Sequence, residues 1–295
     1  MVKGIRMLVL AVSLGAIIVP TAAMADSGAS PASVRNQMET SLMVSGHVDI
    51  ETDGSVSHID LDHEEKLPPG VAKFVRDSGL RWQFEPIEVG GQVVKARAPM
   101  NLRVVAKKLD NGNFQIDLRG VSFERYDSED PQSIAMVKMD APRYPTEAFR
   151  AGASGTVYLI VKVGRDGHVE DAVAEQVNLR IFTSEGEMRR LRKMFANASL
   201  DAVRKWTFRT PTAGEQATRP YWTVRVPVSY AISVGRLPTD EYGAWVSYIP
   251  GPRETAPWAD KEKEGASFSP DTLGDGGVYL ANSNAPRLLT PLQGG

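Results

Sequence analysis

Pro142-Arg143-Tyr144-Pro145, Gly155-x-Val157-x-Leu159-x-Val161-x-Val163, Asp166-Gly167, Trp206-x-Phe208 and Val226-Pro227-Val228 follow one another between residues 142 and 228, and their order decides the fold. Val157, Leu159, Val161 and Val163 alternate with Tyr158, Ile160 and Lys162, the period of a strand with one better-buried face. Arg165-Asp166-Gly167 supplies a turn, since Gly accepts a positive φ without a Cβ clash, and Val169–Val173 pairs back as a second strand. Ser184-x-x-Glu187 is a capping-box pattern that opens a helix. In that helix Met188, Leu191, Phe195, Ala198 and Ala202 share one face, and Arg189, Arg190, Arg192 and Lys193 fall largely on the other. Trp206 and Phe208 mark the exit into an extended segment, which Pro211 interrupts. Tyr221–Ser233 closes the unit as a further strand.

Working outward, a shorter echo runs from Ser45 to Val105. Gly46-x-Val48-x-Ile50, Asp53-Gly54-x-Val56, Trp82-x-Phe84-x-Pro86 and a closing strand around Leu102–Val105 repeat the landmarks in the same order. Val71–Leu80 supplies the helix, and Asp110-Asn111-Gly112 adds a hairpin between Leu102–Lys108 and Phe114–Leu118 that the second unit lacks. The expected architecture is therefore α+β, two diverged copies of one unit, each a small antiparallel sheet packed on a helix. The segments are a signal peptide at 1–25, a leader at 26–44, the divergent first unit with its extra hairpin at 45–124, a linker at 125–138, the second unit at 139–234, and a tail at 235–295. That tail is rich in Gly and Pro and lacks a sustained apolar period, so it is expected to be disordered.

Residues from Asp140 to Ser233 resemble the C-terminal domain of the TonB family of periplasmic energy transducers, and Ser45–Val105 resembles it more loosely. The resemblance rests on Tyr144-Pro145, the Gly-x-Val strand, Asp-Gly-x-Val, the helix exit Ala202-Val203-Arg204-Lys205-Trp206-x-Phe208, and the final Val-Pro-Val strand. It implies a three-stranded antiparallel sheet on a helix. It also implies that the unit grips an extended segment of an outer-membrane transporter by adding it as a strand to a sheet edge. Family transducers carry an uncleaved membrane helix with Ser and His one turn apart; here Ser13 is followed four residues later by Ile17, no His precedes His47, and no Pro-rich spacer follows the leader.

Lys3 and Arg6 precede an uncharged run, Met7–Ala25, and Ala23-Met24-Ala25 fits a small-x-small cleavage site. The reading is a secretory signal with the mature chain starting at Asp26 and a periplasmic destination; the alternative is a retained membrane anchor. Removing Lys3 and Arg6 from 34 basic residues leaves 32 against 36 acidic ones, formally −4. No domain shows the basic excess of a nucleic-acid binder. With no Cys, neither disulfides nor a lipid-bearing thiol contribute, and the cores must carry stability.

The sequence holds no Gly-x-Ser-x-Gly elbow, Ser-x-x-Lys pattern or phosphate loop, and its four His are His47, His58, His63 and His168. No catalytic residue and no cofactor are expected. His58-x-Asp60-x-Asp62 with His63, Glu64 and Glu65 has the composition of a metal site, but Ile59 and Leu61 fill the opposite face and the polar residues read as the wet side of a strand. Tyr144, Pro145, Trp206, Phe208, Trp82 and Phe84 are expected to anchor the folds. The partner-binding edge is expected along Trp222, Thr223, Val224, Arg225 and Val226, upstream of Pro227, whose missing amide argues against a central strand. The expected partner is an outer-membrane transporter plug segment or another envelope protein; the same edge also allows a homodimer by strand pairing, and the membrane is met only through the N-terminal segment. Two other readings remain open: a membrane-anchored energy transducer, and an adaptor for cell-wall or other envelope components.

Overall fold

The alternation of apolar residues along Gly155–Gly164 and Val169–Leu179 forms strands β8 and β9, joined at Asp166-Gly167, and strand β11, Tyr221–Tyr230, pairs with β8 from Tyr221↔Gly164 to Tyr230↔Gly155. The structure, a computed structural model, describes residues 38–108, 114–232, 242–259, 267–281 and 283–292. The signal and the leader up to Gln37 lie outside the described residues. No helix among the described residues is long and apolar enough to cross a membrane.

Helix α3, Glu185–Val203, begins where the capping pattern places it, with Ser184 Oγ accepting from the Glu187 amide at 3.3 Å. Met188, Leu191, Phe195, Ser199 and Val203 are buried, while Ala198 and Ala202 pack from the flank. The 3.6-residue period carries the inward stripe onto Ser199, whose hydroxyl bonds Tyr230 Oη at 2.8 Å. Ahead of α3, strand β7, Ala135–Lys138, and helix α2, Thr146–Arg150, bracket the Tyr144-Pro145 pair. β7, in the stretch read as a linker, pairs with strand β10, Thr207–Arg209, and Ile134 beside it is fully buried. Tyr144 donates its hydroxyl to the Ala153 carbonyl and stacks edge-on against Phe149, Phe195 and Tyr230. Trp206 is 1 % exposed and its Nε1 donates to the Asp140 carbonyl at 2.9 Å; Phe208 is buried beside it.

The N-terminal sheet has the same connections. Strand β1, Glu39–Ile50, forms a hairpin with β2, Val56–Leu61; helix α1, Val71–Gly79, follows; and β5, Ala96–Lys108, returns beside β1. A two-residue hairpin, β3 and β4 at Glu88–Val89 and Gln92–Val93, precedes β5. The hairpin turns match atom for atom: the Phe84 amide donates to the Gly54 carbonyl at 2.8 Å, and the Phe208 amide to the Gly167 carbonyl at 2.8 Å. Both glycines have positive φ, 82° and 78°, and a Cβ at either would run into the carbonyl oxygen of Phe84 or Phe208. Trp82 and Phe84 are buried and meet Phe123 edge-on.

The N-terminal sheet carries one strand more. β6, Phe114–Ser122, covers the far edge of β5 over Asn101–Lys108. The turn expected at Asp110-Asn111-Gly112 lies outside the described residues.

Beyond Gly235, where no apolar period is legible, the described residues nonetheless pack on both sheets. Strand β12, Val246–Tyr248, pairs with the start of β1, and Ile249 exchanges backbone hydrogen bonds with Leu179 at the end of β9. Residues 267–281 run from the Val121 amide on β6, through a helical turn at Pro270–Thr272, to strand β13, Tyr279–Leu280, on β11. The order here comes from contacts with sheets far away in sequence, which local patterning does not report.

Those residues also explain a departure from the strand pattern. β8 and β11 are buried on both faces: Val157, Leu159, Val224 and Val226 face α3, while Tyr158, Ile160, Thr223 and Arg225 are covered from the other side. The face of β11 turned away from α3 therefore carries a buried arginine, Arg225.

Candidate functional site

β11 presents its far edge, opposite β8, as the expected docking line, and the chain itself occupies that line. Leu280 lies across from Val224 and Tyr279 across from Arg225, and the Ala281 amide donates to the Thr223 carbonyl at 2.8 Å. Amide and carbonyl of one residue in an antiparallel strand address the same side, with a period of two. Thr223, Arg225 and Pro227 therefore all face this edge, and Pro227 has no amide to offer, so pairing ends before it. Pro227 argued against a central strand, but β11 lies between β13 and β8, and its segment Thr223–Arg225 is paired with residues 279–281.

Side chains flank the edge on both faces of the sheet. On the α3 side, Leu280 packs on the core next to Val224, and Val278 is buried in the same cluster. Trp222 is held by Nε1 donating to the Gln216 carbonyl at 3.0 Å, and a groove of about 130 Å³ lies between Tyr221, Trp222, Arg219 and Leu280. On the other side, Tyr279 donates to the Gly274 carbonyl and its ring lies 6.2 Å from Tyr126.

Arg225 is tied down by charge. Its guanidinium forks onto the Glu175 carboxylate of β9 at 2.7 and 3.2 Å, Arg253 reaches the same carboxylate at 2.6 Å, and both cations lie over the Phe268 ring. Burial pulls the Arg225 guanidinium below its ordinary pKa, against the opposing effect of Glu175. Two strands of one sheet are thus cross-linked through a desolvated fork, with β8 passing between them.

Next to this fork a cavity of about 250 Å³ is lined by Glu124, Arg225, Phe268, Ser283 and Leu288. Loss of water drives the Glu124 carboxyl up to about 7, against the hydrogen bond from Ser283 at 2.7 Å and the charge of Arg225. Below about pH 4.5 both folded and unfolded chains hold this proton; between that pH and about 7 the unfolded chain releases it first, so stability falls as pH rises. Above about 7 the full penalty, about 3 kcal/mol, is present. Glu124→Gln is expected to leave stability nearly unchanged at pH 4 and to raise it at pH 8, read as a widening difference in Tm between variant and parent.

The metal-like cluster disperses. Asp60 pairs with Arg97 at 2.7 Å and Glu64 with Arg76, and among the described residues no three His, Asp or Glu side chains are placed to hold an ion. The basic face of α3 is also engaged: Arg190 with Glu147 and Glu187, Arg189 with Glu185, and Arg192 with the carbonyls of Val177 and Pro250. Sequence reasoning passed over Glu175, Arg253, Phe268, Glu124 and the strand 279–280. Arg225 in a run of buried valines was the available signal that an acidic partner lay on the same face.

Residues 140–232 match the family model of the Gram-negative bacterial TonB protein C-terminal. Proteins named TonB from two strains of Xanthomonas campestris pv. campestris are each 36 % identical over 100 residues, which is 34 % of this chain and 39 % of theirs. The chain thus spans about two fifths of the length of these curated relatives. No solved structure matches the chain.

Proposed function

We propose that this chain, whose residues 140–232 are a TonB C-terminal domain, is an exported, non-catalytic protein-binding module of the Gram-negative envelope. Its partner is an extended segment of an outer-membrane transporter plug or another envelope protein, added as a strand along Trp222–Val226. One observation carries the reading: β11 already holds an extended strand on that edge, in backbone register, ending before Pro227. Backbone pairing supplies affinity with loose side-chain demands. On this reading the N-terminal sheet is a diverged copy, supported by the shared strand order and the matching Gly54–Phe84 and Gly167–Phe208 hydrogen bonds. Export to the periplasm follows from the signal pattern of residues 1–25.

The test is titration of extended plug peptides into the isotope-labelled full chain. Amide shifts centred on Trp222–Val226 are expected. Shifts confined to Arg189–Lys193 on α3, with the edge unmoved, would refute strand addition.

A further inference from the structure

We propose that residues 278–281 are a built-in stand-in for the partner, a strand that holds the β11 edge closed and must be exchanged for an incoming segment of like chemistry. This rests on the strand-addition reading and adds to it a regulation and a recognition pattern. The incoming segment is extended and carries apolar residues at two positions separated by one, as Val278-x-Leu280 does.

The two sheets differ in how their corresponding edges are covered. In the N-terminal sheet, β6 pairs with β5 continuously from Asn101 to Lys108 apart from one register shift, and β6 is continuous with the core through Leu118 and Val121. That edge is closed as part of the fold. On β11 the cover is two residues long, Tyr279 and Leu280, with one further amide from Ala281. A strand so short has little pairing of its own to lose.

Its position is maintained by tethers on both sides. Upstream, Ser267 accepts from the Val121 amide, and the Asp271 carbonyl accepts from Arg103 Nε at 3.0 Å. Downstream, Ser283 holds Glu124, the Arg287 carbonyl accepts from the Glu85 amide, and the Leu289 amide donates to the Gln83 carbonyl. These five anchors are on the N-terminal sheet or its extensions, and between them Asp275 accepts from Ser229 Oγ at the end of β11 at 2.8 Å. The strand between them is the apex of a strap, delivered to β11 at high local concentration, and it can leave the edge while both ends stay attached. Gly276 and Gly277 just before the apex supply the backbone freedom, Gly276 at a φ of 76°.

The side chains set the exchange rule. Val278 and Leu280 point into the α3 core and Tyr279 to the other side, so a replacement lacking the two apolar residues would leave a gap beside Val224 and Trp222. Charged or glycine-only segments pair with the edge but do not refill it.

The experiment uses the full chain, which has no native Cys. Thr223→Cys with Ala281→Cys, oxidised, locks the strand in place; Tyr279→Pro removes an amide that faces Arg225 and loosens it. The probe is a labelled peptide with the sequence of residues 275–281. Tyr279→Pro is expected to bind it at least about tenfold more tightly than the parent, because the competent state is no longer masked. The oxidised clamp is expected not to bind, and reduction to restore binding. If Tyr279→Pro does not fold, the redox comparison decides alone, and equal binding by oxidised and reduced clamp overturns the proposal. If parent and Tyr279→Pro bind equally with shifts at Trp222–Val226, self-occupancy falls and strand addition stands. If no form shows shifts at Trp222–Val226 with this peptide or with plug peptides, strand addition fails and takes this proposal with it.

Discussion

Trp206→Ala is expected to cost about 3–5 kcal/mol, the range for truncating a buried aromatic, and to lower the melting temperature sharply. The indole is 1 % exposed, belongs to the core that also holds Ile134, Phe195, Val203 and Phe208, and ties its Nε1 to the Asp140 carbonyl just ahead of the Tyr144-Pro145 pair. Removing it opens a cavity and leaves that carbonyl without its donor. Domains of this size are stabilised by only about 5–15 kcal/mol, and no disulfide limits the unfolded chain. The measurement is thermal unfolding followed by near-ultraviolet circular dichroism, with Trp206→Phe as the milder companion. A melting temperature equal to the parent's would mean that the residue is not a core anchor.

Glu175→Ala is expected to destabilise by about 3–5 kcal/mol, because it removes the carboxylate onto which the buried Arg225 guanidinium forks. Arg225 is 4 % exposed and cannot turn to water, whereas the Arg253 side chain is one-third exposed and can. The paired replacement Glu175→Leu with Arg225→Met is expected to recover most of the loss, since apolar side chains of similar volume need no partner. Urea unfolding of the parent, the single and the double variant separates these outcomes. A single variant as stable as the parent would show that the fork contributes nothing. A double variant as unstable as the single would show that packing, and not charge, was lost.

The fork also bears on the edge of β11 proposed for docking. Arg225 is one of the two β11 residues paired with β13, and its side chain is fixed to β9 while its backbone addresses the edge. A change at Glu175 is therefore expected to disturb the edge through Arg225 without touching any partner.

Local physics made much of the fold legible. The alternation along β8, the positive-φ glycine at Asp166-Gly167, the Ser184 cap and the apolar stripe of α3 are each decided within a few residues, by sterics and by backbone groups seeking the nearest partner. Trp206-x-Phe208 and Trp82-x-Phe84 were legible as anchors for the same reason: aromatic side chains at a helix exit have one apolar place to go. The end of pairing along β11 was legible through Pro227, a covalent fact about one missing amide.

The sequence alone, then, determined the hairpin, helix and closing strand of each sheet, the faces turned to the helices and the place where edge pairing must stop, because these depend on neighbours in the chain. Only the tertiary structure decided that β8 and β11 are buried on both faces, that Arg225 is paired with Glu175 and Arg253, and that the β11 edge is held by Tyr279–Leu280. A two-residue strand has no period to read, and its existence depends on an open edge more than fifty residues upstream. Such pairings are set by which backbone groups remain unpaired once the sheets have formed, and that is a property of the assembled molecule.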